Sequence, residues 1–102
     1  MAMIEFSVVP LGTKTASVSK YVAEAIKILE SYKDKVKYEL TAMGTIIEGD
    51  LDTAMKIVLE IHNSIFSDEV KRVVTSIKID DRRDKELTLD GKVQSVLSKV
   101  KK

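Results

Sequence analysis

The chain of 102 residues contains no cysteine and no tryptophan, and it has a single proline and a single histidine. Without cysteine the protein forms no disulfide, holds no thiolate-bound metal and uses no cysteine nucleophile. The lone histidine, His62, argues against a histidine-based zinc site. No serine or carboxylate has the spacing of a triad partner for it. We therefore expect no metal, no cofactor and no catalytic residue.

An excess of one charge and long apolar runs are also missing. Seventeen basic and sixteen acidic residues give a net charge of +1, whereas nucleic-acid-binding proteins carry a clustered basic excess. No segment approaches the roughly 18 apolar residues of a membrane span. The first residues, MAMIEFSVVP, lack the basic segment and apolar run of a signal peptide. We expect a cytoplasmic protein that binds neither nucleic acid nor membranes.

The sequence has enough apolar residues, 44% of the total, to form one hydrophobic core. No linker or low-complexity segment interrupts it, so we expect a single domain over residues 1–102. Two periodicities follow each other along the chain. Alternation predicts four strands, at Met3–Val9, Val36–Met43, Thr45–Gly49 and Arg72–Ile79. Helical spacing predicts a helix capped by Thr15 or Ser17, a second capped by Asp50 or Asp52, and a third over Leu89–Val100.

This order, βαββαβ with an additional C-terminal helix, predicts an α+β fold of the ferredoxin-like type. Two right-handed split βαβ units give a four-stranded antiparallel sheet with strand order 4-1-3-2. Both long helices cover one face. Alternation places Ser7, Thr41, Met43, Ile46 and Glu48 on the open face, which suits a subunit contact, a small ligand, or both. The apolar stripe of the last helix should dock on this chain or on a neighbour.

Three segments together resemble a known family. They are VVPLGTKTASVSKYVAEAI, YELTAMGTIIEGDLD and VTSIKIDDRRDKELTLDGKV. They are similar to the small thiamine-binding-protein family (the MTH1187/YkoF-like group), over Ile4 to about Val96. The resemblance implies a ferredoxin-like fold and self-association as a homotetramer built from dimers. It also implies, as in some relatives, binding of thiamine or its hydroxymethylpyrimidine part, and it does not imply an enzyme.

Glu48 and Thr45 match the Thr-x-x-Glu pattern of that family, here Thr45-Ile46-Ile47-Glu48. A carboxylate can accept a hydrogen bond from the exocyclic amine of a pyrimidine, or pair with a protonated ring nitrogen. The alternatives for Glu48 are a hydrogen bond across a subunit interface and a solvated charge. We expect Glu48 and Thr45 to contribute to a ligand site.

Other candidates come from the predicted open face. The hydroxyls of Ser7, Thr41 and Ser76 could orient a polar ligand, or could form ordinary cross-strand hydrogen bonds. The thioether of Met43 could pack on a flat ring or simply fill an interface. We expect Ser7, Thr41 and Met43 to join Glu48 and Thr45 in the ligand site.

Three further features have a structural explanation that we favour. The hydroxyls of Thr13, Thr15, Ser17 and Ser19 could bind an anion, but helix capping accounts for most of them. Arg82 and Arg83 could grip an anion or a subunit, and a solvated charge run is the alternative. His62 lies beside an apolar stripe, as a boundary residue does.

The sequence therefore favours a non-enzymatic protein that binds a thiamine-like small molecule as an oligomer. The alternative is a structural or regulatory homo-oligomer that binds an unknown effector and does not recognise thiamine. An acylphosphatase-type enzyme needs an arginine-bearing loop after the first strand, and PLGTKTAS has no arginine. RNA binding needs stacking aromatics on the open sheet face, and Phe6 and Tyr38 are predicted to face the helices.

Overall fold

The computed structural model describes residues 1–13, 19–84 and 89–100, with the side chains of 89–91 left out. The elements are β1 (Ala2–Leu11), α1 (Ser19–Glu30), β2 (Lys37–Leu40), β3 (Thr45–Gly49), α2 (Leu51–Ile65), β4 (Arg72–Asp81) and α3 (Leu89–Val100). They confirm the predicted α+β fold with a C-terminal helix. The proposed caps Thr15 and Ser17 lie outside the described residues, whereas Asp50 does cap α2 by accepting a hydrogen bond from the Thr53 amide at 3.1 Å.

The four strands form one antiparallel sheet in the order β2-β3-β1-β4. This is the predicted order read from the other edge. Ile4 lies between Ile47 of β3 and Ile79 of β4, so the three isoleucines share the helix-covered face, as alternation predicts.

Strand β1 is much longer than its inner neighbour. It pairs with β4 along its whole length, but with β3 only from Ala2 to Phe6. Among the described residues, the stretch 7–11 therefore has a strand partner on one side only. This explains why β1 continues through Pro10 to Leu11, past its predicted end at Val9, since proline is tolerated where a strand has a free edge. Gly12, with φ of 80°, then turns the chain away.

The hydrophobic core lies between the sheet and helices α1 and α2. Its buried members are Ile4, Phe6, Leu29, Val36, Ile47, Ala54, Ile57, Val58 and Ile61. Helix α2 supplies the largest share of these core residues, and the fully buried Ile57 is among them. At the rim, the Tyr32 hydroxyl donates to the Glu60 carboxylate at 2.7 Å. That hydrogen bond raises the pKa of Tyr32.

Two strand predictions need correction. The second strand was expected to run to Met43 but ends at Leu40, because Thr41–Gly44 form the turn into β3. Alternation along their strands predicts Leu40, Ile77 and Ile79 on the face beneath the helices, and the pairing does put them on that face. All three are nevertheless exposed. They lie on the two outer strands, where the helices do not cover the sheet.

Helix α3 extends from the sheet rather than packing on the core. Every described side chain from Lys92 to Val100 is exposed, and Lys92 forms an ion pair with Asp80 at the end of β4. The apolar stripe of α3 thus has no cover within the described part of this chain. Over the same residues, no helix is both long enough and apolar enough to span a membrane.

The burial of Ile57 in α2 leads to a testable prediction. Ile57→Ala removes a fully buried side chain and should lower the free energy of unfolding by about 2–5 kcal/mol. Leu59→Ala, in the same helix but 56% exposed, is the matched control and should change it by less than about 0.5 kcal/mol. Urea denaturation measures both, and equal losses would contradict this assignment of the core.

Candidate ligand-binding site

A cavity of about 300 Å³ lies where β1 continues past the end of β3. Its walls are the end of β1, the first half of α1, the turn between β2 and β3, and one side of α2. We call it the hairpin cavity. It is lined by Phe6, Ser7, Val8, Val9, Tyr21, Val22, Ala25, Leu40, Thr41, Ala42, Met43, Gly44, Thr45, Ile61 and Ile65. Its volume falls at the small end of the range for small-molecule sites.

The hairpin cavity follows from the lengths of the strands. Because β3 begins at Thr45, opposite Phe6, no strand fills the space beside the next residues of β1. The turn closes that space from one end. Gly44 packs so tightly that a Cβ there would lie 2.7 Å from the carbonyl oxygen of Phe6. The free edge of β1 thus becomes one wall of a cavity, and its side chains from both sheet faces reach the lining.

Thr41 shapes the turn that forms another wall. Its hydroxyl donates to the carbonyl oxygen of Gly44 at 2.9 Å and accepts from the amide of Gly44 at 3.1 Å. It also accepts, at 3.3 Å, from the amide of Met43. The Thr41 side chain therefore acts as an internal brace of the turn. Alternation had predicted Thr41 as an open-face strand residue, and it gave no sign of this role.

The lining is apolar with a few hydroxyls. Ser7, Tyr21, Thr41 and Thr45 are the polar side chains, and none of the described lining residues carries a formal charge. Tyr21 is half-buried, and the Nζ of Lys20 lies 5.0 Å from the centroid of its ring. An apolar cavity with a small number of convergent polar groups is the arrangement typical of small-molecule sites.

The structure brings together four of the five predicted ligand residues. Ser7, Thr41, Met43 and Thr45 all line the hairpin cavity. They do not share one sheet face, however. Thr45 is buried and lies opposite Phe6 on the helix-covered face, and Thr41 and Met43 belong to the turn. Their common feature is the end of the hairpin, which the sequence pattern of an open face did not indicate.

Glu48 lies elsewhere. It pairs with Met3 and Lys37 on the face opposite to Thr45, and it is buried. It lines a separate depression of about 370 Å³, with Met1 and the segment 33–37, which contains three lysines. Glu48 has interactions within the chain. A ligand role for Glu48 stays a prediction, and any such role is at a place distinct from the hairpin cavity.

Residues of α1 are a part of the site that the sequence pattern did not indicate. Tyr21, Val22 and Ala25 line the hairpin cavity. The helical spacing of Val22 and Ala25 indicates only a core-facing stripe, and Tyr21 lies outside that spacing. An aromatic ring at the start of a predicted helix is a weak signal without the strand pairing.

The other candidates have local structural roles. Arg82 is hydrogen-bonded to Asp84, which raises the pKa of the arginine, and Arg83 is hydrogen-bonded to Asp81. They border a wide polar depression of about 550 Å³ near the start of α2. Nδ1 of His62 lies 2.6 Å from the hydroxyl oxygen of Thr75, so His62 ties α2 to β4. No group of three possible metal ligands occurs among residues that the structure describes.

The fold and the cavity define a ferredoxin-like α+β domain with a small apolar cavity at the end of its central hairpin. A family model described as thiamine-binding protein matches residues 4–97. The chain therefore belongs to the thiamine-binding-protein family, which confirms the resemblance seen in the sequence.

Three similar proteins extend this comparison. The UPF0045 protein YqgV of Bacillus subtilis is 48% identical over 98 residues, covering 94% of each chain. The crystal structure of protein MJ1052 from Methanocaldococcus jannaschii is 46% identical, with a TM-score of 0.83 and coverage of 93% of this chain and 94% of that one. A domain of unknown function from Bacillus cereus is 36% identical, with a TM-score of 0.75 and coverage of 90% and 86%.

The brace formed by Thr41 gives a second prediction. Thr41→Val keeps the shape of the side chain but removes its hydrogen bonds, so it should lower the free energy of unfolding by about 1 kcal/mol. It should also speed hydrogen exchange at the amides of Met43 and Gly44. Thr41→Ser retains the hydroxyl and is the control. Equal exchange rates in the valine and serine variants would contradict the brace.

Proposed function

We propose that this protein is a non-enzymatic binding protein for thiamine or a hydroxymethylpyrimidine-type ligand, and that the hairpin cavity holds the pyrimidine ring. The observation that carries the proposal is the gathering of Ser7, Thr41, Met43 and Thr45 around one apolar cavity. Membership of the thiamine-binding-protein family supports the choice of ligand.

The lining suits a flat, uncharged heteroaromatic ring. The half-buried Tyr21 provides aromatic surface, and a ring gains from offset or edge-to-face contact with such a group. Met43 is 87% exposed at the tip of the turn, so its flexible thioether can fold onto a ring that enters. The hydroxyls of Ser7 and Thr45 can donate to ring nitrogens or accept from an exocyclic amine.

The two rings of thiamine differ in charge, since the thiazolium ring is a cation and the pyrimidine ring is neutral. Since the described lining residues carry no formal charge, their side chains offer no ion-pair partner for the cationic thiazolium ring, and the ammonium of Lys20 beside the Tyr21 ring would repel that cation. Burying an unpaired charge is costly, whereas a neutral pyrimidine loses little if its polar atoms are hydrogen-bonded. The pyrimidine ring therefore occupies the cavity, and the remainder of the ligand stays at its mouth.

The same lining favours binding over catalysis. The part of it that the structure describes has no carboxylate, histidine or lysine to move a proton. Its hydroxyls have no adjacent base that would make one of them a nucleophile. The described lining can thus bind a ring, and it lacks the side chains that usually catalyse proton transfer or nucleophilic attack.

A second candidate function has an observation of its own. The exposed apolar side chains of α3 and β4, including Ile79, Val93 and Leu97, favour self-association. The protein would then act as a dimer or tetramer, either as part of ligand binding or as a structural or regulatory assembly that responds to another effector. Titration with thiamine separates these functions.

Isothermal titration calorimetry with thiamine and with hydroxymethylpyrimidine tests the proposal. Ala25→Leu places a larger side chain in the cavity wall, so it should weaken binding at least tenfold, or about 1.4 kcal/mol. Ala23→Leu, on the exposed side of α1, is the matched control and should bind as the unmodified chain does. Absence of heat with both ligands, or equal affinity in the two variants, would contradict the proposal.

The predicted contact of Glu48 is tested by the same titration. Thr45 and Glu48 face opposite sides of the sheet, and three residues of strand, about 10 Å, separate them. One ring therefore cannot reach both, and binding in the hairpin cavity should be unchanged in Glu48→Gln. A loss of more than tenfold would instead support the Glu48 contact and place the ring in the depression beside residues 33–37.

A further inference from the structure

A lysine stands beside one wall of the hairpin cavity. The Nζ atom of Lys20 lies 5.0 Å from the centroid of the Tyr21 ring, and that half-buried residue lines the cavity. Lys20 itself is exposed, in the first turn of α1. An ammonium therefore borders a cavity whose described lining residues carry no formal charge.

The charge of Lys20 is not neutralised within the described part of the chain. The first turn of α1 contains no acidic residue. Glu24, one turn further along the helix, pairs instead with Lys27 at 3.2 Å. No ion pair among the residues described involves Lys20. Its contact with the face of Tyr21 is attractive but leaves the positive charge in place. The ammonium is thus available to an anion from solution.

The charges on the other side of the cavity cancel. A smaller depression of about 120 Å³ shares Ser7 and Met43 with the hairpin cavity and extends over the open face of the sheet. It contains Glu5 and Lys78, which lie directly opposite each other on β1 and β4. Opposite charges in this arrangement stabilise each other and leave no net charge. Lys20 therefore gives the surroundings of the cavity a positive end on the α1 side.

We propose that the hairpin cavity selects a ligand whose flat, neutral ring carries an anionic group, and that Lys20 binds this group at the mouth. The phosphate monoester of hydroxymethylpyrimidine has this composition. Its phosphate carries about −1.5 to −2 charges at pH 7, and the ester oxygen is one carbon away from the ring. The inference rests on the proposed function, from which it takes the position of the ring.

Tyr21 links the two halves of this site. A ring in offset or edge-to-face contact with Tyr21 has its centroid about 4.5–7 Å from that of the tyrosine. The ammonium of Lys20 lies 5.0 Å from the same point. Rotation of the flexible four-carbon stem of the lysine can then bring the ammonium to a phosphate on the bound ring. A charge-assisted hydrogen bond of about 2.7–2.9 Å would join them.

Charge ranks the candidate ligands. Lys20 repels the thiazolium cation of thiamine, has little effect on the neutral alcohol hydroxymethylpyrimidine, and attracts its phosphate ester. The phosphate stays at the mouth, in contact with water, so it does not pay the large cost of burying a charge. We therefore expect the ester to bind most tightly, the alcohol less tightly and thiamine least tightly.

Isothermal titration calorimetry with these three compounds tests the ranking. In the unmodified chain the ester should bind at least about tenfold more tightly than the alcohol, as a hydrogen bond between charged groups provides. The readout is the ratio of the two affinities. It should fall to about one in Lys20→Gln. Lys56→Gln removes the same charge from the exposed surface of α2, away from the cavity lining, and should keep the ratio.

Two further measurements show that charge is the cause. Lys20→Arg keeps the positive charge and should retain the preference for the ester, whereas Lys20→Glu should favour thiamine over the ester. Exposed ion pairs are screened by salt, so the ratio should fall when the salt concentration rises from about 50 mM to about 500 mM. A ratio that salt does not change would contradict an ionic contact at the mouth.

The outcomes separate this inference from the function on which it rests. An ester that binds no more tightly than the alcohol, or a preference that persists in Lys20→Gln, would overturn the role of Lys20 and leave the ring in the cavity. A preference that is lost in Lys35→Gln instead would place the anion in the depression beside Glu48, and would also overturn it. Absence of heat with all three compounds would overturn the proposed function itself.

Discussion

The pairing of β1 with its two neighbours is the constraint on which the structure depends. This strand is held by β4 over ten residues and by β3 over five. The doubly paired half carries Ile4 and Phe6 into the core, between the other strands and the helices. The singly paired half leaves a space that the turn at Gly44 closes. One difference in strand length thus gives both a packed core and a cavity beside it.

The same difference in pairing gives the two sides of β1 different surroundings. On the β3 side, the short hairpin leaves a cavity lined by apolar side chains and hydroxyls. On the β4 side, the full-length strand presents an uninterrupted edge whose ends have opposite charge. The cavity and the open edge of β4 therefore lie on opposite sides of β1.

Much of the fold could be predicted because its signals are local. Alternation marked β1 and β4, and helical spacing marked α2, where five apolar residues are buried. Four residues of the cavity, Ser7, Thr41, Met43 and Thr45, could be named as ligand candidates, but their positions could not be predicted. Thr41 and Met43 looked like strand residues because T-A-M continues the alternation of β2, and only the hydrogen bonds of Thr41 show a turn. The pairing between strands places Glu48 away from Thr41 and Met43. A local sequence pattern carries no information about that pairing.

Entry of a pyrimidine ring into the hairpin cavity can be tested by titrating isotopically labelled protein with hydroxymethylpyrimidine and following the amide chemical shifts. The largest shift changes should cluster at Ser7, Tyr21 and the turn Thr41–Thr45, around the cavity. Changes confined to Glu48 and residues 33–37, where the separate depression lies, would contradict it.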